Sequence, residues 1–430
     1  MATEAATRKI NMGVIGVGVG GLEIIRTAVQ SPETINLVAG CDTVPVTRER
    51  FKERFPEANV YATAEEICQD PNVDAVYIAS PNRFHAEHTI TAARNGKHVL
   101  IEKPMAISLK ETEQMVEECA KAGVKLVCAH TASFGLPYRV MRKVIQSGEL
   151  GDLKAITLLA YTDWMLRPRT PDELDFAQGG GVPFRQGPHQ LDSLRLLGGG
   201  MMTQVWAKMG WWMPERNIPG YYSATFDFAN GAIATATHNG YGYFTLGDVN
   251  GPAAGRASVE SLVEIRKAMR DGTRDEDAAK QDLRIGGDTE IKQFEAAKVE
   301  GPSRGNFGHQ ITREVGDRTG LNDTGDPGTI IVTCERGDMR IGSNGVLIYS
   351  DNGVREVTGE SDVDARGEIH EMYDAIINGK PVYHSGEWGM ATAEAIFGMV
   401  ESSQTGKVVQ LTHQVPVHPE YDAELKIVDL

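Results

Sequence analysis

Between residues 10 and 130, short apolar runs alternate with stretches whose apolar positions recur at helical spacing. MGVIGVG (12–18), INLVAGCD (35–42), VDAVYIAS (73–80), KHVLIEK (97–103) and VKLVCAH (124–130) read as buried strands. Runs that are apolar at nearly every position imply strands covered on both faces, and therefore a parallel sheet with helices between its strands. The punctuation agrees. Thr63 with Glu66, and Ser108 with Glu111, spell capping boxes, and Gly96 and Gly123 stand where helices should end. The pattern predicts a doubly wound α/β domain over 1–130.

After Ser133 the texture changes. Residues 137–147 read as a helix with Val140, Val144 and Ile145 on one side. Strand-like runs then accumulate in LKAITLLAYTDW, TQVWAKMGWW, YYSATFDFANGAIATATHNGY and GTIIVTCERGDMRIGSNGVLIYS. Asn230-Gly231 and Asn344-Gly345 are hairpin signals. Helical stretches interrupt near 188–198, 367–379 and 387–405. This predicts an α+β C-terminal domain over 131–430 with a mostly antiparallel open sheet. Residues 250–328 are polar and Gly-rich and read as an insertion with one helix near 258–270. The polar tail 412–430 reads as an extended arm.

The chain has 430 residues, 41% apolar and 24% charged, enough for two large cores. A net charge of −16 argues against nucleic acid or an anionic membrane surface as partner. It leaves an anionic small molecule open, since one site needs only a few placed cations. The five cysteines are scattered and form no CxxC pair, which predicts reduced thiols, a cytoplasmic setting and no metal site. The first residues carry no apolar signal region, and no run of 18 apolar residues suggests a membrane span.

Gly16, Gly18 and Gly21 form G-x-G-x-x-G between an apolar strand and a helical stretch. One glycine makes the tight turn, one admits a pyrophosphate to the backbone, and one lets helix and strand pack closely. This is the dinucleotide-binding fingerprint of a Rossmann domain. Asp42 ends the next strand, about 20 residues on, where an acid accepts ribose hydroxyls and favours NAD. The bland alternative is an acid capping a loop, and Arg48 nearby leaves NADP open.

Glu102-Lys103-Pro104 follows the strand HVLI, at the end where open α/β sheets bind ligands. Lys103 reads either as a solvated lysine or as an ammonium poised for proton transfer. In GGGVPFRQGPHQLDSLRLLGGG (179–200), glycines bracket Arg185, His189 and Asp192. His189 and Asp192 are three apart at the start of a helix and share a face. Asp192 holds the imidazole in one tautomer, or else His189 is a satisfied core residue and Asp192 a first-turn acid.

The fingerprint, the EKP motif and the Gly-rich segment leading to a helical histidine resemble the Gfo/Idh/MocA family of oxidoreductases. The resemblance runs from residue 10 to about 412. It implies NAD(P)-dependent hydride transfer, with Lys103 as catalytic lysine and His189 as acid/base or orienting histidine. It places Pro81, Asn82, His85 and Glu102 on the cofactor side, although His85 reads equally as a helix start. One departure matters: many family members carry Asp four residues before the histidine, and this chain has Arg185. A bidentate cation there favours a carboxylate or another anion over a simple polyol. Arg167 and Arg169 read as a loop solvated beside acids, or as further cations.

HTASFGLPYRVMRKVIQSGELG, YTDWMLRPRTPDELD and the stretch from 179 to 200 are similar to the phthalate 4,5-cis-dihydrodiol dehydrogenase-like subgroup. That likeness adds Tyr161, Trp164 and His130 to the substrate side, and implies oxidation of a carboxylated cis-dihydrodiol. The alternatives are a sugar, glycoside or inositol dehydrogenase, a reductase or dehalogenase of a substituted aromatic, and a nucleotide-bound sensor without turnover. Lys103 speaks against the last. Trp206, Trp211 and Trp212 suggest an apolar sheet face and a homo-oligomer, dimer or tetramer.

Overall fold

The structure is a computed structural model and describes residues 8–129, 132–246, 259–292, 328–342, 344–360 and 367–430. Its described residues divide into two units. The first holds 8–129 with two later segments, 281–292 and 367–389. The second holds the remainder from residue 132 onward.

The first unit is a six-stranded parallel sheet: β1 (Ile10–Ile15), β2 (Ile35–Cys41), β3 (Asn59–Tyr61), β4 (Ala75–Ile78), β5 (His98–Glu102) and β6 (Leu126–Ala129), in the order 3-2-1-4-5-6. That order is the doubly wound dinucleotide-binding topology. The helices between are α1 (Val19–Val29), α2 (Pro45–Arg54), α3 (Ala64–Gln69), α4 (His85–Arg94) and α5 (Leu109–Ala122). The strand pattern misses β3, whose three residues on the sheet edge are too few for a periodic signal.

Thr63 and Glu66 cap α3 reciprocally. At α5 the box is half made. Ser108 accepts the Glu111 N–H at 3.3 Å, while the Glu111 carboxylate accepts from Ile107 instead of Ser108. Gly96 and Gly123 both adopt φ of +70° after their helices. The core packs Met12, Val14, Leu22, Ile25, Tyr77 and Leu100 with Ile369 and Met372 of the late helix Gly367–Ile377.

The second unit is built on a ten-stranded sheet among the described residues. Its strands pair antiparallel except Ile233–Asn239 with Leu153–Tyr161, which run parallel. In Tyr221–Phe228 every second residue is buried, as a sheet with one covered face requires. Gly231, at φ +85°, closes the hairpin after Asn230. Helices Leu136–Ser147 and Gly187–Gly198 pack against each other. Within the tail read as an extended arm, Lys426–Asp429 forms an edge strand beside Gly353–Glu360. Of the expected insertion, only 259–292 lies within the described residues, with helices Val259–Arg270 and Glu276–Asp282.

Candidate active site

The three fingerprint glycines are required for three different reasons. Gly16 has φ +90°, and a Cβ there would lie 2.7 Å from the Ala79 carbonyl oxygen. A Cβ on Gly21 would meet the Gly16 oxygen at 2.1 Å, so helix α1 can cross the loop only without a side chain. A Cβ on Gly18 meets nothing within 4 Å. Gly18 also precedes a helix N-terminus with no side-chain cap and no acid in its first turn. The loop therefore has the space and the unopposed N–H groups that a pyrophosphate needs.

Asp42 follows β2 and accepts the Val44 N–H at 2.9 Å. Arg48 donates to the Asp42 backbone carbonyl at 2.7 Å, not to its carboxylate. Burial raises the Asp42 pKa, against hydrogen bonds from the Val44 and Val17 N–H groups and the charges of Arg284 and Arg48. The residues present fit NAD: Gly16 to Gly21 for the pyrophosphate and Asp42 for the ribose hydroxyls.

Lys103 leaves the end of β5 through a cis bond to Pro104. Beneath it, the Glu102 carboxylate accepts the Tyr77 hydroxyl at 2.7 Å and the Lys103 N–H at 2.8 Å. Two further acids act on this place. Burial, together with the charge of Glu102, raises Glu23 to about 7. Burial likewise raises Glu368 to about 7, again with Glu102 adding to the shift. Sequence reasoning missed both, because Glu23 reads as a helix-surface acid and Glu368 arrives from far along the chain.

Pro81 is exposed and Asn82 buried in the turn after β4. His85 begins α4, as the helix-start reading has it. It is 1% exposed, with Nδ1 2.9 Å from the Pro104 carbonyl oxygen and Nε2 2.7 Å from that of Ser80. Both ring nitrogens face protein carbonyls, so the ring braces the two loops from behind.

In the second unit, every residue of Gly187–Gly198 is buried, polar ones included. His189 is 7% exposed. The Asp192 carboxylate accepts the Ser133 N–H at 3.1 Å, and its charge acts on Arg195 one turn away. Gln190, on the same helix, reaches His238 at 3.1 Å, and His238 reaches Thr162 at 3.0 Å. Such partners are what buried polar groups require.

Arg185 lies on the short helix Val182–Arg185 and reaches Glu173 at 3.3 Å. Glu173 also takes Arg169 at 3.0 Å and Lys280 at 2.8 Å. Burial opposes ionisation of Glu173, and the charges of Arg169, Arg185 and Lys280 overcome it and hold its pKa well below the usual range. The solvated-loop reading fails for Arg169. Its side chain is 9% exposed, its pKa is lowered to about 10 by desolvation, and its guanidinium lies 3.8 Å from the Trp164 ring centroid. Arg167 pairs with Asp163 at 2.9 Å.

Trp164 is 1% exposed, with the Arg169 guanidinium over its ring. Tyr161 stacks on Phe244 with centroids 4.9 Å apart. His130 lies outside the described residues. Glu173 and Lys280 were not singled out from sequence. The only local sign was the Thr170–Glu173 capping box, which the structure contains. All five cysteines are buried and unbridged. Among the described residues no helix is long and apolar enough to cross a membrane.

Residues 10–130 match the model of an oxidoreductase family with an NAD-binding Rossmann fold, and 138–244 match the GFO/IDH/MocA C-terminal domain. The chain is 30% identical over 404 residues to the 1-carboxy-3-chloro-3,4-dihydroxycyclohexa-1,5-diene dehydrogenase of Comamonas testosteroni, covering 92% of this chain and 95% of that one. It is 28% identical to the myo-inositol 2-dehydrogenase of Thermotoga maritima, over 46% of this chain and 58% of that one. A solved structure from Bordetella bronchiseptica RB50 superposes with a TM-score of 0.79 at 32% identity, covering 94% of this chain and all of the other.

Proposed function

The chain belongs to the Gfo/Idh/MocA family of NAD-binding oxidoreductases, and from that footing we propose that it oxidises a ring secondary alcohol bearing an anionic group. A carboxylated cis-dihydrodiol of an aromatic acid is the first choice. The observation that carries this reading is the surplus of cations at Glu173, where one carboxylate meets Arg169, Arg185 and Lys280. Arg185 is one of three cations on Glu173, and a planar guanidinium fork suits a substrate carboxylate. The Comamonas relative, whose name describes a carboxylated dihydroxycyclohexadiene, supports the same class.

Bound NAD supplies the hydride acceptor. Lys103 takes the hydroxyl proton as the carbinol becomes a ketone. His189 serves the substrate as a second acid/base or orienting group, and Asp192 on the same helix holds the backbone at Ser133, ahead of the helix Leu136–Ser147. Enolisation of the ketone then yields the aromatic ring and draws the reaction forward. The domain roles follow: nucleotide binding by 1–130 with the late segments 281–292 and 367–389 that fold with it, and substrate binding by the rest of 131–430. Trp206 and Ile331 on the outward sheet face, both over 40% exposed, suit a homodimer or tetramer. The unbridged cysteines suit a cytoplasmic setting.

The test is NAD reduction across carboxylated dihydrodiols, uncharged cyclic diols, inositols and glycosides. Turnover highest with the carboxylated diols supports the proposal. The inositol dehydrogenase relative favours a second reading, and turnover of inositols or glycosides without that of carboxylated diols would establish it instead.

A further inference from the structure

Residues 274–280 lie in the stretch that the sequence marks as an insertion, and they fold with the second unit. They bind the turn-rich segment 163–173, which carries Arg167, Arg169 and Glu173. Five consecutive carbonyls of that segment, residues 164–168, each accept a cationic side chain. Arg169 donates to the Trp164 oxygen at 3.1 Å. Arg216 donates to those of Met165 and Arg167, at 2.7 Å in both cases. Arg274 donates to that of Leu166 at 2.5 Å and Lys280 to that of Pro168 at 3.5 Å. One carboxylate gathers these donors. Glu276 pairs with Arg216, lies 3.1 Å from Arg274 and accepts the Arg169 N–H at 3.3 Å. Lys280, one turn on in the helix Glu276–Asp282, takes Oε2 of Glu173 at 2.8 Å, while Arg169 and Arg185 share Oε1 at 3.0 and 3.3 Å.

We propose that Glu276 is a positioning residue for the cations at Glu173, so that the insertion sets the enzyme's preference for an anionic substrate. The inference rests on the reading that Arg185 and its neighbours at Glu173 receive a substrate carboxylate. A run of carbonyls must find donors, and water can supply them as well as arginine. Donors joined to one another through Glu276 hold the segment in one arrangement, which separate waters do not. Arg216 and Arg274 meet the same Glu276 oxygen, and the Arg216 side chain is 2% exposed. Without that carboxylate the two guanidinium groups repel at close range, and the carbonyls they hold are released with them. A guanidinium takes a carboxylate through two parallel hydrogen bonds, so a shift of about 1 Å in its backbone spoils the match.

The test is steady-state NAD reduction by the full chain with a carboxylated cis-dihydrodiol and with the uncharged diol of the same ring. Glu276→Ala should lower the preference for the charged diol, taken as the ratio of the two kcat/KM values, about tenfold, the scale of one charge-assisted hydrogen bond. The change should lie in KM for the charged diol more than in kcat. Glu276→Gln keeps the side chain's shape and loses its charge. It should shift the ratio in the same direction, and it carries the test if the alanine variant melts early. In an Arg185→Gln background, Glu276→Ala should add little, since the cation it positions is gone. A ratio that Arg185→Gln lowers and Glu276→Ala leaves unchanged would overturn this proposal and keep the substrate reading. Equal losses for both diols, or full additivity of the two changes, would make Glu276 a brace of the fold and overturn it too. A parent and an Arg185→Gln variant that treat both diols alike would overturn the substrate reading, and the proposal with it.

Discussion

The Nδ1 atom of His85 lies 2.9 Å from the carbonyl oxygen of Pro104, the residue that follows Lys103. Its other ring nitrogen holds the Ser80 carbonyl at 2.7 Å. One buried imidazole thus ties the loop that carries the lysine to the loop after β4. His85→Ala leaves two buried carbonyls without this donor and should lower unfolding free energy by about 2 kcal/mol, read by urea titration. It should also reduce kcat more than NAD affinity, because it loosens the Lys103 loop. Lys103→Ala should keep the stability and lose about 10²–10⁴-fold in kcat, the usual worth of a positioned proton-transfer group. Equal stability of His85→Ala and the parent would refute the brace.

The fingerprint glycines should separate cleanly. Gly18→Ala adds a methyl to open space and should leave the thermal midpoint unchanged while weakening NADH binding. Gly21→Ala drives a Cβ against the Gly16 oxygen and should destabilise the unit whether or not NADH is present. Thermal melts with and without NADH measure both. A Gly18→Ala protein with parental NADH affinity would remove the pyrophosphate from this loop.

Arg185→Gln should raise KM for a carboxylated substrate about tenfold, as expected for one charge-assisted hydrogen bond, with little change for an uncharged diol. The fold should tolerate it, since Glu173 keeps Arg169 and Lys280. If KM rises equally for charged and uncharged substrates, Arg185 is structural.

Glu368 is 5% exposed, and burial raises it to about 7. The native state therefore holds a proton that the unfolded state releases near pH 4.5. This acid's contribution to stability is present below pH 4.5 and is lost as pH rises toward about 7. Glu368→Gln removes that loss and should raise unfolding free energy near pH 8 by a few kcal/mol at most. Urea titrations at about pH 5 and 8 would show the parent weakening between the two values and the variant weakening less, with the part due to Glu23 remaining. A parent with no such decline would mean that Glu368 is ionised in the fold.

The first sheet apart from β3, the glycine loop, Asp42 after β2 and the Glu102-Lys103 pair at the end of β5 could all be read from the chain before its fold was known. Each depends on neighbours within about one turn or strand, where apolar periodicity and turn chemistry act directly. The sequence also placed Arg185 beside His189 by simple spacing. It could not assign Glu173 to three cations, turn His85 inward onto two carbonyls, or bring Glu368 and Arg284 to the nucleotide-binding unit. Those outcomes join residues far apart in the chain. Tertiary packing alone decides which polar groups are buried, and a buried charge must then find its partner wherever the fold has carried one.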